Sequence, residues 1–401
     1  MKICYISALY PPFIAGGAEI YVKGIAEKLV EKGHEVIVIT INQRRCLKLL
    51  IEVKNGVKIY RIPSWNIYTL YNSNKKPMFI KPIWYVIDLW GFHFYKIVKN
   101  ILKKEMPDVI HVHSYKGMFQ AFNAAKTLNL HVIYTAHSYE MICPKAILLR
   151  TSNEICNTPT RICKIYRKII KYLLKNKLDL LTAPSQFTID KLKETEIFKD
   201  VKAIRLYNAI ELSDGKKLKK SEKDYRLIDV LYVGGLSKHK GVHILINAFK
   251  ELKYENIRLH IVGKGKDEDE FKKIAGSDKR IIFHGFKTGE ELMNFYKKAN
   301  VVVTPSLCYD NSPMVIYESL MNGTPVIGSR IGGIPELIED GYNGFLFEAG
   351  NVDKLKGILE NLVENPSELK RLEEGAFESV KKYGMKEHIR KLEELYKSVQ
   401  R

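Results

Sequence analysis

The chain is 401 residues long, 46% hydrophobic and 27% charged, which excludes a disordered or fibrous polymer and favours two domains over one. Its net charge of +20 is concentrated: residues 1–210 carry 33 Lys and Arg against 15 Asp and Glu, a surplus of 18, and the remainder a surplus of only 2. No recognition helix, ribonucleoprotein motif or zinc-finger spacing accompanies this charge, so no nucleic acid is expected, and an anionic lipid surface or a phosphorylated acceptor fits it better.

The first residues, Met1 to Leu9, read as a strand, because no basic region precedes a leader-length apolar run and no cleavage site follows; a cytoplasmic protein, peripheral on the membrane at most, is expected. Short β-branched runs at Lys2–Leu9, Glu35–Thr40, Asp108–Ser114, His131–His137 and Asp179–Ser185 alternate with longer amphipathic stretches, the rhythm of a parallel α/β sheet. Phe79–Val98 has about the length of a membrane span, but Lys81, Pro82, Asp88, His93 and Lys96 are each costly in hydrocarbon and argue against one.

From Arg161 to Lys177, Ile162, Ile165, Tyr166, Ile169, Ile170, Leu173 and Leu174 recur at helical spacing, and Lys164, Arg167, Lys168, Lys171 and Lys175 take the other face. The apolar stripe is expected to cover the sheet and the lysines to face outward, where they can meet an anionic membrane surface. Glu211–Arg226 is charged, lacks an apolar period and contains the turn signal Asp214-Gly215, which places a linker there. The strand rhythm restarts at Asp229–Gly235, Ile257–Gly263, Ile281–Phe286, Val301–Ser306 and Pro325–Ser329. The expected domains are therefore 1–211, 212–384 and a last helix, 385–401, packing back on the first.

Cys4, Cys46 and Cys308 read as small core residues. Cys143, Cys156 and Cys163, separated by twelve and six residues, lack the paired spacing of a zinc site, and no metal is expected.

The first strand is followed by Pro11-Pro12 and by Gly16-Gly17-Ala18-Glu19 at the opening of an amphipathic helix. Glycines there let a phosphate or carboxylate approach backbone N–H groups at the positive end of the helix dipole. In the second half, Tyr232-Val233-Gly234-Gly235-Leu236 ends a strand, and Lys238 and Lys240 follow, cations suited to a departing diphosphate. Farther on, Thr304-Pro305-Ser306 closes a strand. Asp310-Asn311-Ser312-Pro313 then leads into a helix with Glu318, Gly323-Thr324-Pro325-Val326 starts another strand, and Gly332-Gly333-Ile334-Pro335-Glu336 follows it.

These motifs resemble, in order and spacing, the signature of family-4 glycosyltransferases: an acid, seven residues, a Glu, then Gly-x-Pro-Val and Gly-Gly-x-Pro-Glu. The Asp-Val-Ile-His-Val-His strand at 108–113 and the strand Gly344-Phe345-Leu346-Phe347 belong to the same likeness. The resemblance implies a GT-B fold, two Rossmann-like parallel-sheet domains facing across a cleft, with acceptor in the first and nucleotide-sugar donor in the second. It implies catalytic roles for Asp310, His137 and Lys240, and donor binding by Gly16, Gly17, Lys238, Lys240, Asn311, Ser312, Pro313, Met314, Val315 and Glu318.

By the same likeness Glu318 accepts hydrogen bonds from ribose hydroxyls, and His137 reaches the donor sugar. Asp310 stands where the family has a Glu, one methylene shorter, and Gly235 where it commonly has an Arg, for which Lys238 is the available substitute. The implied reaction retains anomeric configuration and needs no divalent metal or other cofactor. A UDP-sugar is favoured over GDP-mannose, with a glycan, lipid-linked or other hydroxyl acceptor. Asp267-Glu268-Asp269 has the form of a metal-binding Asp-x-Asp but sits at a predicted helix start, where acids serve the dipole. A sugar-nucleotide epimerase of the same fold and a membrane-associated binding subunit without turnover stay open as alternatives.

Overall fold

Apolar runs separated by polar turns build two sheets. The protein is represented by a computed structural model that describes residues 1–400 except 15, 44–47, 65, 71, 73–75, 115, 117–118, 152–153, 212–222 and 224. The linker expected around residue 212, with its Asp214-Gly215 turn, and Cys46 lie outside the described residues.

The first sheet comprises β1 (Lys2–Ile6), β2 (Glu35–Ile41), β3 (Leu50–Lys54), β4 (Val57–Ile62), β5 (Val109–Val112), β6 (Val132–Thr135), β7 (Leu180–Ala183) and β8 (Ala203–Arg205), ordered β3-β4-β2-β1-β5-β6-β7-β8. The second comprises β9 (Ile228–Val233), β10 (Ile257–Val262), β11 (Ile281–Gly285), β12 (Val301–Thr304), β13 (Val326–Ser329) and β14 (Gly344–Phe347), ordered β11-β10-β9-β12-β13-β14. Pairing is parallel except between β3 and β4. That antiparallel hairpin departs from the all-parallel expectation: Asn55 and Gly56, both at positive φ (49° and 77°), form the two-residue turn that returns the chain at the sheet edge.

The order of each sheet reverses next to its first strand, between β1 and β5 and between β9 and β12. Such a reversal leaves a crevice at the carboxyl ends of the strands, and two such crevices face each other here.

The apolar stretch 79–98 is two helices, Lys81–Trp90 and Phe92–Glu105, separated at Gly91. Among the described residues no helix is long and apolar enough to cross a membrane. The helix Arg161–Leu174 meets the expectation in part: Tyr166, Ile170 and Leu174 are buried against the first core, whereas Ile162 and Ile165 face solvent. The last helix, Met385–Val399, leaves the second domain and lies on the first sheet, where the Tyr396 hydroxyl meets that of Tyr5 (2.8 Å) and His111 Nδ1 (2.9 Å).

Candidate functional site

The two crevices merge into one cleft of about 670 Å³ between the domains, within the size range of small-molecule sites. From the first domain, Gly16 and Gly17 after β1 line it, with His113 after β5 and His137 after β6. From the second, Gly234, Gly235 and Lys240 come from the loop after β9, and the stretch from Asp310 through Val315 comes from the loop after β12 and the helix Met314–Met321. Ten of the expected site residues thus share one cavity.

Lys240 and Asp310 are in contact: Nζ lies 2.5 Å from Oδ1, and the Ser306 hydroxyl donates to Oδ2 at 2.5 Å. Burial opposes both charges, but each offsets the other's cost; the Asp310 carboxyl stays below the usual carboxylate range and the Lys240 ammonium stays above its ordinary value. The cleft therefore holds an ionised pair. Ser306 carried no expected role, since a Ser after Thr-Pro has no motif of its own.

His137 is neutral at physiological pH, its pKa lowered to about 4 by burial. Its Nε2 lies 3.0 Å from His113 Nδ1, one ring donating to the other, so the tautomers of the two rings are coupled. His111, two residues earlier on β5, lies against the His113 ring (4.1 Å between centroids) but outside the cleft lining, and bonds Thr135 and Tyr396.

Two expected residues fall outside the lining. Lys238 turns its ammonium to Glu270 at 2.8 Å. Glu318 sits one helical turn beyond Met314, largely buried, and accepts from the Tyr296 hydroxyl at 2.7 Å. Burial raises its pKa, the Tyr296 bond opposes that rise, and no ion pair to it is found among the described residues.

Asn311 faces the cleft, but its side-chain groups are committed across the domain boundary. Its amide donates to Ala136 O at 2.7 Å, and its oxygen accepts from Ser185 and Thr188, each at 2.7 Å. Glu336 acts in the same direction, accepting from the backbone N–H groups of Gln186 and Phe187 at the start of the helix Gln186–Lys193 and pairing with Arg205 at 3.1 Å. Both ends of the signature therefore clasp the first domain.

The glycines of the signature are required by close approach. A Cβ on Gly333 would lie 1.8 Å from Asn311 O and 2.7 Å from Ser185 Cβ, and one on Gly17 would lie 2.7 Å from Met314 Cγ. Replacing Gly333 by alanine is expected to force the clasp apart and lower stability by about 1–3 kcal/mol, the range for overpacking. Urea titration checks it, and an unchanged midpoint would show that the loop yields freely.

Asp267 is the N-cap residue of the helix Glu268–Ala275, whose first turn carries Glu268, Asp269 and Glu270, as expected of acids that serve the dipole. The Asp267 carboxylate accepts from Lys238 N at 2.8 Å and so holds the turn that carries Lys240. Glu268, in the first turn, pairs with Lys272 at 2.7 Å.

The chain matches two family descriptions end to end: Glycosyltransferase Family 4 over residues 15–214 and Glycosyl transferases group 1 over residues 213–379. It is 30% identical over 377 residues to an uncharacterized glycosyltransferase of Methanocaldococcus jannaschii, covering 88% of this chain and 87% of that one. Sucrose-phosphate synthase from Thermosynechococcus elongatus superposes with a TM-score of 0.78 at 19% identity, over 99% of this chain and 98% of that chain. The Anabaena HepE structure in complex with UDP-glucose superposes with a TM-score of 0.70 at 17% identity, over 99% of this chain and all of that one.

Proposed function

Since the chain belongs to glycosyltransferase family 4, we propose that it transfers a hexosyl group from a UDP-sugar to a hydroxyl of a glycan or lipid-linked acceptor, on the cytoplasmic side, with retention and without a divalent metal. The observation that carries this reading is the Lys240–Asp310 pair, 2.5 Å apart, in a cleft fed by the switch-point loops of both sheets. The UDP-glucose bound to Anabaena HepE supports the choice of donor.

In this reading the bond from the anomeric carbon to the diphosphate breaks as the acceptor oxygen bonds to the same face, and a departing phosphate oxygen takes the acceptor proton. Lys240 meets the charge that grows on the diphosphate, and the N-terminus of the helix Met314–Met321 adds its dipole. Glu318 receives the ribose hydroxyls, and neutral His137 holds a sugar hydroxyl. Of the carboxylates lining the cleft, Glu19 accepts from Gly16 N, Glu140 from the Tyr134 hydroxyl and Asp310 from Lys240 and Ser306. Lys238, by contrast, would have to leave Glu270 to reach the donor.

The test is turnover of UDP- and GDP-sugars by the full chain in excess EDTA with an extract of glycans and lipids as acceptor. UDP release that needs acceptor and survives EDTA supports the reading; release restored only by added metal overturns its metal-free part. Glu318→Gln, which replaces an acceptor by a donor of the same shape, is expected to lower kcat/KM about 10- to 100-fold, the worth of one or two charge-assisted hydrogen bonds. Steady-state kinetics on the folded variant checks this, and a change below twofold would remove Glu318 from the ribose site.

A further inference from the structure

The helix Lys81–Trp90 buries Trp84, Asp88 and Leu89. Its opposite face carries Ile83, Val86 and Trp90, spaced i, i+3, i+7, and all three are exposed. Phe79 just before it is 79% exposed and Phe92 just after it 74%. The face a soluble helix gives to water is here apolar throughout.

The helix Arg161–Leu174 lies beside it, with the Tyr85 and Tyr166 rings edge to face at 6.4 Å. It too keeps an uncovered apolar strip, Ile162 (75% exposed), Ile165 and Tyr172 (79% exposed). On the helical wheel this strip falls between the buried Tyr166 side and the exposed basic arc of Arg161, Lys164, Lys168, Lys171 and Lys175. The uncovered apolar strips of the two neighbouring helices, with the basic arc beside the second, make up a two-helix ledge. Neither stretch of chain supplies an exposed acid, since residues 53–104 contain only Asp88, which is buried, and residues 155–178 contain none; Glu196, from outside them, pairs with Lys171 at 3.2 Å.

Exposed apolar residues clustered in this way, and not scattered singly, mark an interaction surface. Trp, Phe and Ile that penetrate an interface, together with an excess of flanking Lys and Arg, complement an anionic lipid headgroup layer. The ledge is also joined to the cleft, because Tyr166 donates to Glu140 O, Arg167 to Ile142 O and Tyr85 to Pro144 O, at 2.7, 2.8 and 2.7 Å, along the segment that follows His137.

We propose that the two-helix ledge formed by Lys81–Trp90 and Arg161–Leu174 docks the protein on the surface of an anionic bilayer, with Ile83, Val86, Trp90, Ile162 and Ile165 entering the interface. That a lipid-borne acceptor is thereby brought to the cleft rests on the transferase reading; docking itself does not, and is measured without donor.

The experiment is flotation of the full chain with vesicles of phosphatidylcholine alone and of an equimolar mixture with phosphatidylglycerol. The protein is expected to float with the anionic vesicles only, and less as salt rises. Ile83→Glu with Ile165→Glu is expected to lower the floated fraction at least about tenfold without changing the melting temperature, since both side chains face solvent. Lys164→Glu with Lys168→Glu is expected to weaken it and to flatten its salt dependence. No flotation with either vesicle, equal flotation with both, or an Ile83→Glu, Ile165→Glu protein that floats like the parent would overturn the proposal. So would light scattering that finds a dimer in the parent and a monomer in that variant, which assigns the ledge to a second copy of the chain. A thermal shift with UDP, run in parallel, reports separately on the donor site.

Discussion

Lys240→Met is expected to lower kcat/KM by roughly 10³-fold, the upper range for removing one donor that meets charge developing in a transition state. The ammonium is the one cation of the expected donor set that lines the cleft, since Lys238 is turned to Glu270 and Gly235 carries no side chain. Methionine keeps the length and the packing of the stem, so the loss reads charge and not shape. The substitution also strands Asp310, whose low carboxyl pKa depends on the neighbouring ammonium. Stability should therefore fall by part of the roughly 3–5 kcal/mol that an uncompensated buried charge costs, less what the open cleft returns by hydration. Adding Asp310→Asn separates the two effects: the double variant is expected to recover stability and not turnover. The measurement is single-turnover kinetics with chemical denaturation of the parent, the single and the double variant. Near-native turnover by a stable Lys240→Met protein would take the leaving-group role away from Lys240.

What the sequence discloses about this site follows from how local each signal is. The buried strands are continuous β-branched runs, and the loops after β1, β9 and β12 carry Gly, Pro and Lys at readable positions, so ten cleft residues were legible before any contact was known. The hairpin of β3 and β4 is equally local, marked by Asn55-Gly56 between alternating runs, but it breaks the strand–helix alternation that signals a parallel sheet. β8 spans only Ala203–Arg205 and has no pattern to read. Other features are long-range in principle. Asn311 and Glu336 belong to a recognisable signature, but their partners Ala136 and Gln186 lie 175 and 150 residues away, and nothing in either segment announces the contact. The Arg161–Leu174 period likewise tells that an apolar stripe exists but not how much of it the sheet covers.

The protein is expected to lose stability steeply as pH falls from about 6.5 to about 4. His111, His113 and His388 are buried and His137 nearly so, all near the junction of the first sheet with the helix Met385–Val399. Burial, reinforced among the first three by neighbouring charges, lowers their pKa values to about 3 for His111 and His388, to about 4 for His137 and well below the ordinary value for His113. A depressed histidine binds fewer protons folded than unfolded, so stability is fully present above the unfolded pKa and is lost on acidification through the window below it. Each such group contributes a slope of about 1.4 kcal/mol per pH unit, and four acting together about 5, comparable with the whole stability of many domains. The surrounding partners do not titrate there: Tyr5, Tyr21, Tyr396 and Thr135 are neutral throughout. The paired carboxylate Glu105, held at about 2 by Lys2, Lys58 and Tyr60 against its burial, weakens the fold only at lower pH still. Denaturant midpoints at pH 7.5, 6 and 5 measure the slope, and His388→Gln is expected to reduce it by about 1.4 kcal/mol per unit whatever it does to the absolute stability. A slope unchanged by that substitution would mean that His388 takes up its proton without unfolding, and that the junction between the last helix and the first sheet opens to water on its own.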